Sequence, residues 1–188
     1  MIQTIDPARA QGDLAEIYRD IANARGGIAA LMRAQSLNPA ALQAHFELYS
    51  ILLFGRSELE RRTREMIGVV VSAANQCDYG VEHHSEPLRG FGVEQELLEA
   101  LAEGEIPNTL SAALRGLLSY ARTLTLTPTS NEAQIEALRE LGWSDAAILD
   151  ATMVCSYFNF INRITVGLGV TLERGFEETC APELVTGE

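Results

Sequence analysis

Apolar residues recur at helical spacing along almost the whole chain. One example is the set Leu14, Ile17, Tyr18 and Ile21, which falls on one face of a helix with about 3.6 residues per turn. Alternation of apolar and polar residues between turn signals, the pattern of a strand, is scarce. The chain is therefore predicted to be all-α and to fold as a largely antiparallel helical bundle.

Helix boundaries are predicted from caps and breakers. The segments SELE at 57–60 and TSNE at 129–132 each fit a capping box, so helices are expected to begin there. The predicted helices lie near residues 11–25, 28–36, 39–54, 58–75, 78–89, 93–102, 108–125, 131–141 and 145–168.

Two segments of the chain resemble each other. LRGFGVEQELLEA at 88–100 and LRELGWSDAAILDA at 138–151 both run from Leu-Arg through a glycine into an apolar helix. One hypothesis is an internal helix–turn–helix duplication. The alternative is that any two helices joined by a glycine turn look like this, because glycine commonly ends helices.

Length and charge limit the class of protein. A chain of 188 residues suits a single domain over residues 1–188, with an N-terminal helical extension of about 1–38. The net charge is −12 and the basic residues are dispersed arginines, which argues against a nucleic-acid partner. Apolar runs such as MIGVVVSAA are too short for a membrane span, and the N-terminus lacks a signal-peptide pattern. We expect a cytoplasmic protein with neither a nucleic-acid nor a membrane partner.

The cysteines indicate thiol chemistry rather than a disulfide framework. Cys77, Cys155 and Cys180 are few, odd in number and far apart, unlike the cysteines of small secreted proteins. Any cysteine chemistry is therefore expected to be that of reactive thiols.

The segment CDYGVEHH at residues 77–84 places reactive side chains close together. On a helix, Cys77 and His84 lie within about 20° of one face, Gly80 lies one turn before His84, and His83 points elsewhere. A helix that begins near Asp78 has Cys77 at its N-terminus, where free amides and the helix dipole favour a thiolate. His84 would then relay protons.

A structural interpretation of the same segment is also open. Cys77 would be a small buried apolar residue, and the two histidines would be divided between packing and solvent. His83 and His84 cannot both face one ion from a regular helix, and the cysteines supply no zinc pattern. No metal or other cofactor is expected.

Glu65 is a single carboxylate near the start of the apolar segment RRTREMIGVVVSAANQ, which ends just before Cys77. One interpretation is a functional carboxylate near the thiol. The alternative is a surface acid paired with Arg61 one turn earlier, which is worth a few tenths of a kcal/mol.

The segment CSYFNFINR places Cys155, Asn159 and Asn162 on one helix face, at spacings of four and three. Polar groups on so apolar a helix need partners. Either they form a hydrogen-bond network in the core or in an oligomer interface, or this face lines the pocket and Cys155 supplies a sulfur there.

These motifs together resemble a known family. LERRTREMIGVVVSAANQCDYGVEHHSEPLR is similar to the signature of the alkylhydroperoxidase D and carboxymuconolactone decarboxylase superfamily, in particular the branch of peroxidase-related enzymes. ILDATMVCSYFNFINRITVGLGVTLE at 148–173 resembles the long C-terminal helix of that branch. The N-terminal segment QGDLAEIYRDIANARGGIAALMRAQSLNPAAL resembles it as well, so the likeness covers nearly the whole chain.

The resemblance implies an activity and a set of site residues. The family pattern is Glu, eleven residues, then Cys-x-x-Cys-x-x-x-His, and Glu65, Cys77 and His84 fall on its first, second and last positions. The family reduces peroxides with its cysteine pair, and the second cysteine usually attacks. Gly80 stands at that position here, with Tyr79 and His83 beside it as further candidate pocket residues. The resemblance also implies a homo-oligomer built from dimers, such as a hexamer.

Three functional hypotheses follow. In the first, Cys77 reduces a peroxide as a single cysteine, becomes a sulfenic acid and is recycled by a thiol reductant. In the second, His84 is a general acid or base for a small organic acid or lactone, oriented by Glu65, as on the decarboxylase side of the superfamily. In the third, the protein binds a ligand without catalysis.

Gly80 invites a restoration experiment. At a helix start, the Cα atoms of positions 77 and 80 would lie roughly 5 to 5.5 Å apart, which a disulfide accepts. The Gly80→Cys substitution is therefore expected to need little rearrangement and to cost the helix nothing.

Overall fold

A computed structural model of the protein describes residues 2–129 and 132–180. Within them lie nine α-helices, and none of these residues forms a strand, so the all-α prediction is confirmed. No helix in these ranges is long and apolar enough to cross a bilayer. Two 3₁₀ turns lie at Pro7–Arg9 and Phe176–Thr179. The helices are α1 (Asp13–Arg25), α2 (Ala30–Ala34), α3 (Pro39–Phe54), α4 (Arg61–Ala74), α5 (Asp78–Gly90), α6 (Gln95–Ala102), α7 (Ala112–Leu126), α8 (Glu132–Glu140) and α9 (Asp145–Leu168).

Helix α4 lies at the centre of the bundle. It packs against α3, α5, α6, α7 and α9, and residues 64–72 are all buried. A helix that is buried on every side needs apolar residues around its whole circumference, which the run from Met66 to Val71 supplies. The polar residues of α4, among them Glu65 and Ser72, are therefore held in fixed positions inside the protein.

The capping-box prediction at SELE is wrong. Helix α4 begins at Arg61, after Glu60. The Ser57 hydroxyl instead accepts the N–H of Leu59 at 3.0 Å and donates to the Asp150 carboxylate at 2.5 Å. This loop is thereby tied to α9, and the tertiary contact outweighs the local capping pattern. In the second box, residues 130 and 131 lie outside the described residues, and α8 begins at Glu132.

The two similar segments form the same turn. In each, the glycine N–H bonds the carbonyl three residues earlier, and the next N–H bonds the carbonyl five residues earlier; the donors are Gly92, Val93, Gly142 and Trp143. Both glycines have positive φ, +70° and +93°, which is why a glycine suits these positions. The helices that follow the two turns are α6 and α9.

Candidate functional site

Helices α4 and α5 bring Glu65 and His84 into direct contact. The Nδ1 atom of His84 lies 2.6 Å from Oε2 of Glu65, and Glu65 is 0% exposed. Arg61 donates to the other carboxylate oxygen, through Nε at 2.6 Å and also through Nη2. The predicted pairing of Arg61 with Glu65 is confirmed, but the interpretation of Glu65 as a surface acid is wrong.

The Glu65 carboxyl is held in its ionised form. Burial by itself raises its pKa, but the charges and hydrogen bonds of His84 and Arg61 outweigh burial, so the pKa lies below its usual value. An ionised carboxylate only accepts hydrogen bonds, so Nδ1 of His84 carries the hydrogen of this contact. That tautomer leaves Nε2 of His84 as the ring atom that can take up a proton.

Gly68 on α4 allows the His84 ring to pack close to this helix. The His84 ring packs edge-to-face on Phe158, with centroids 4.4 Å apart at 77°. A Cβ atom at position 68 would lie 2.7 Å from Cζ of Phe158 and 3.1 Å from Cγ of His84. Gly68 therefore allows both rings to approach α4 closely. The sequence signal that could have found it is a lone glycine inside an apolar helix.

His84 lines an internal cavity of about 30 Å³, enough for about two water molecules. The predicted pocket residues Tyr79, Gly80, His83 and Asn162 also line it. Sequence reasoning missed three of its polar residues, which come from α1, α3 and α9: Arg25, Tyr49 and Tyr157. None of the cysteines in the described part of the chain lines this cavity.

The space beside Gly80 is already filled. Asn162 donates to the Ser72 hydroxyl at 3.1 Å. A Cβ atom at position 80 would lie 2.8 Å from Oδ1 of Asn162 and 3.0 Å from Cβ of Ser72, and would also meet the Ser72 hydroxyl. The prediction that a cysteine at position 80 needs little rearrangement is therefore wrong.

The substitution Gly80→Cys is expected to destabilise the protein by about 1–3 kcal/mol, because it overpacks the site against Ser72 and Asn162. The matched control is Gly167→Cys on α9, where a Cβ atom would meet nothing within 4 Å. The control should be neutral or slightly stabilising, since glycine is a poor helix former. Urea unfolding under reducing conditions measures both. Equal midpoints for the two variants would contradict the overpacking.

Cys77 occupies the predicted helix start but does not line the His84 cavity. It is the N-cap residue of α5 and is 2% exposed. It lines a neighbouring pocket of about 290 Å³ that shares Tyr79 and Thr165 with the His84 cavity. Burial raises the pKa of the Cys77 thiol, and the Gly80 N–H and the Thr165 hydroxyl offset burial only in part. The predicted thiolate is therefore wrong, because burial outweighs the helix N-terminus.

Cys155 and Asn159 do not line the His84 cavity, although they share a face with Asn162. The Cys155 thiol lies 3.4 Å from the Ala121 carbonyl, and the Asn159 amide donates to the Thr125 hydroxyl at 3.0 Å. The alternative of a hydrogen-bond network is thus confirmed for these two residues. Thr165, next to Cys77, lies ten residues beyond Cys155, about 15 Å along α9. Cys155 does not supply the missing sulfur.

The two adjacent histidines contact different partners, although both line the same cavity, which the prediction that His83 points elsewhere did not anticipate. Nδ1 of His83 lies 2.9 Å from Sγ of Cys180, whereas Nδ1 of His84 lies 2.6 Å from Oε2 of Glu65. The His83 ring packs on Tyr79, with centroids 4.3 Å apart. The Tyr79 hydroxyl in turn accepts the N–H of Leu31 at 3.2 Å, which ties α5 to α2.

A family profile matches the part of the chain that holds these residues. The profile of the carboxymuconolactone decarboxylase family matches residues 39–123, a range that includes Glu65, Cys77 and His84. The protein YdfG of Bacillus subtilis is 23% identical over 116 residues, which are 61% of this chain and 78% of that protein.

Solved structures share the fold. A peroxidase-related protein from Silicibacter sp. TM1040 is 26% identical with a TM-score of 0.79, and 95% of each chain is covered. A peroxidase-related protein with an alkylhydroperoxidase core, from Ralstonia eutropha JMP134, is 24% identical with a TM-score of 0.84 over 96% of each chain. The debrominase Bmp8, solved with 2,3,4-tribromopyrrole, is similar in fold alone, at 16% identity and a TM-score of 0.77, over 98% of this chain and 97% of that one. The family profile and the Silicibacter match support the assignment of the chain to the alkylhydroperoxidase D and carboxymuconolactone decarboxylase superfamily, and the other two structures share its fold.

Proposed function

We propose that the protein is an acid–base enzyme that acts on a small organic acid or lactone, with His84 as the proton-transfer residue and Glu65 as the group that orients it. The observation that carries the proposal is the 2.6 Å contact between Nδ1 of His84 and Glu65 at a cavity that none of the described cysteines lines. A buried carboxylate that fixes one ring nitrogen leaves the other for proton transfer.

The surroundings suit an acidic substrate. Arg25 contributes a guanidinium to the cavity wall, and Tyr49, Tyr79 and Tyr157 contribute aromatic surface. The cavity volume of about 30 Å³ limits the part of a substrate that reaches His84 to a few heavy atoms. The decarboxylase family profile, which spans both members of the Glu65–His84 pair, supports the same chemistry.

The second candidate is single-cysteine peroxide reduction at Cys77. Two relatives are named as peroxidase-related proteins, and the Cys77 pocket of about 290 Å³ is large enough for an organic peroxide. Against it, burial raises the pKa of the Cys77 thiol, and a neutral thiol is a poor nucleophile. We therefore favour proton transfer at His84 over thiol chemistry at Cys77.

Hydrogen–deuterium exchange tests the proposal. The probes are acetoacetate, levulinate and α-angelica lactone, each incubated with the protein in D₂O and followed by proton NMR. We expect exchange at carbon next to a carbonyl, and a loss of about 10²-fold or more in His84→Gln, since general acid–base groups contribute on this order. Cys77→Ala should retain the wild-type rate, because Cys77 lies outside the His84 cavity.

The same variants separate the alternatives. Peroxide consumption that Cys77→Ala abolishes, with no exchange on any probe, would support single-cysteine chemistry and contradict proton transfer. Saturable binding of a probe without either reaction would support a binding protein. Exchange that persists unchanged in His84→Gln would remove His84 from the mechanism.

A further inference from the structure

A second group of reactive side chains lies next to the His84 cavity, around His83. Sγ of Cys180 is 2.9 Å from Nδ1 of His83, which is close enough for the thiol to give its proton to the imidazole. His83 is 6% exposed and Cys180 is 7% exposed, so the contact is largely protected from water. The cysteine and histidine are separated by 97 positions in the chain, so the pair is a product of the fold.

A carboxylate stands on the opposite side of the His83 ring. Oε1 of Glu173 is 3.6 Å from Nε2 of His83, an ion-pair distance rather than a hydrogen bond. Among the described residues, Nε2 of His83 and both carboxylate oxygens of Glu173 are buried without a hydrogen-bond partner. Buried polar atoms without partners are rare and often belong to functional groups. The order cysteine, histidine, carboxylate is that of a thiol nucleophile with its base and orienting acid.

The charges around the group suit a reactive thiol. Burial raises the pKa of Glu173, but the interaction with His83 and contacts with the backbone outweigh burial, so the pKa lies below its usual value and the carboxyl is ionised at neutral pH. Burial lowers the pKa of His83 despite the opposing effect of Glu173, so the ring is neutral and can accept a proton. The Arg25 guanidinium also interacts electrostatically with Cys180, and a nearby cation stabilises a thiolate.

We propose that Cys180, His83 and Glu173 form a second reactive site, in which Cys180 is a thiol nucleophile for a small uncharged peroxide and His83 is its general base. The site is separate from the Glu65–His84 pair and extends beyond the proposed proton-transfer function. It does not use Cys77 or the position of Gly80. The thiol comes instead from the segment that follows α9, which the pattern at residues 77–84 does not include.

The proposed reaction transfers two electrons from Cys180 to the peroxide. Nδ1 of His83 takes the thiol proton, and Sγ of Cys180 attacks one peroxide oxygen, so that an S–O bond forms while the O–O bond breaks. The electron pair of that bond goes to the leaving oxygen, which takes the proton from His83 and departs as water or an alcohol. Cys180 is oxidised to a sulfenic acid and the peroxide is reduced. A small thiol then displaces water to give a mixed disulfide, and a second equivalent releases Cys180 and the reductant's own disulfide.

The size of the site limits the oxidant. Cys180 is only 7% exposed and does not line the cavity that His83 borders, so only an electrophile with few heavy atoms can reach its thiol. Hydrogen peroxide meets this limit and is the probe for the experiment. The leaving oxygen needs a proton, which His83 holds after it has deprotonated the thiol.

The three cysteines of the chain provide an internal comparison. The full-length protein is treated with hydrogen peroxide in the presence of dimedone, which traps sulfenic acids, and each cysteine peptide is quantified by mass spectrometry over time. Cys77 and Cys155 are buried as Cys180 is, but neither is hydrogen-bonded to a histidine. We expect Cys180 to be labelled at least about 10-fold faster than either, because its thiol alone has a base in contact. Labelling of Cys180 no faster than that of Cys77 would overturn the proposal.

Variants separate base catalysis from exposure. His83→Gln should slow the labelling of Cys180 by about 10-fold or more, and Glu173→Gln should slow it by a smaller factor. The control is Phe176→Leu, which reduces the packing on His83, at present 5.3 Å between ring centroids, and keeps the thiol and its base. If exposure of the thiol alone set the rate, Cys180 would be labelled faster in both His83→Gln and Phe176→Leu. A His83→Gln rate equal to or above wild type would therefore contradict the proposal.

Discussion

Replacement of Glu65 by glutamine is expected to lower the free energy of unfolding by about 3 kcal/mol, because removing one member of a buried ion pair leaves its partners without compensation. Glu65 is 0% exposed and joins Arg61 to His84. Glutamine keeps the size of the side chain but removes the negative charge that faces both the Arg61 guanidinium and the His84 ring. The loss is at the low end for such pairs, since Arg61 also packs over the Phe54 ring at 3.7 Å.

Urea unfolding at pH 7 measures this change, and Glu60→Gln is the control. Glu60 precedes the same helix and is exposed, so its substitution should alter the free energy of unfolding by no more than about 0.5 kcal/mol. A Glu65→Gln variant as stable as the control would mean that the contact with His84 and Arg61 contributes little to the fold.

The second large effect is a pH dependence of stability at His45. This side chain is buried on α3, with Nε2 2.8 Å from the Tyr157 hydroxyl and Nδ1 in contact with the Gln35 amide. Burial, with a smaller effect of Arg25, lowers the pKa of His45 from 6.5 to about 4. The unfolded chain therefore binds a proton at His45 between pH 6.5 and 4, whereas the folded chain does not.

The contribution of His45 to the free energy of unfolding is fully present above pH 6.5 and is lost as the pH falls towards 4. The loss should reach about 2 kcal/mol at pH 5 and about 3 kcal/mol at pH 4, since each unit of difference is worth about 1.4 kcal/mol. The measurement compares wild type with His45→Gln by urea unfolding at pH 7.5 and pH 5. The difference in free energy of unfolding between wild type and His45→Gln should be about 2 kcal/mol smaller at pH 5 than at pH 7.5. The variant lacks the titration of His45, and the titrations of all other groups cancel in the difference. A difference that is the same at both pH values would show that His45 titrates normally.

Some helix starts followed from the sequence and others did not. The predicted starts at residues 39, 78 and 145 coincide with those of α3, α5 and α9. Each of these starts has a local cause, such as Pro39 in the first turn or Ser144 as N-cap. The start predicted within SELE failed because Ser57 bonds to Asp150, which is distant in the chain.

The organisation as a single domain over residues 1–188 and the dimer-based homo-oligomer stay predictions. Exposed apolar side chains lie on α3 and α9, including Ile51, Leu149 and Phe160. Light scattering at micromolar concentration measures the mass of the particle, and a monomeric mass would contradict the oligomer.

The sequence by itself determined the all-α class, because helical periodicity is a local property that a single chain displays directly. A link between Glu65 and His84 was implied only by the family resemblance, and the contact itself is made between α4 and α5. Only the tertiary structure decided which groups share a cavity. It placed Ser72 and Asn162, from α4 and α9, in the space beside Gly80, and it turned Cys77 towards a different pocket. It also brought Cys180 to His83 across 97 positions of chain. The pKa of each side chain and the groups that it contacts depend on burial and on segments distant in the chain. Spacing along one helix shows neither the burial nor these distant contacts.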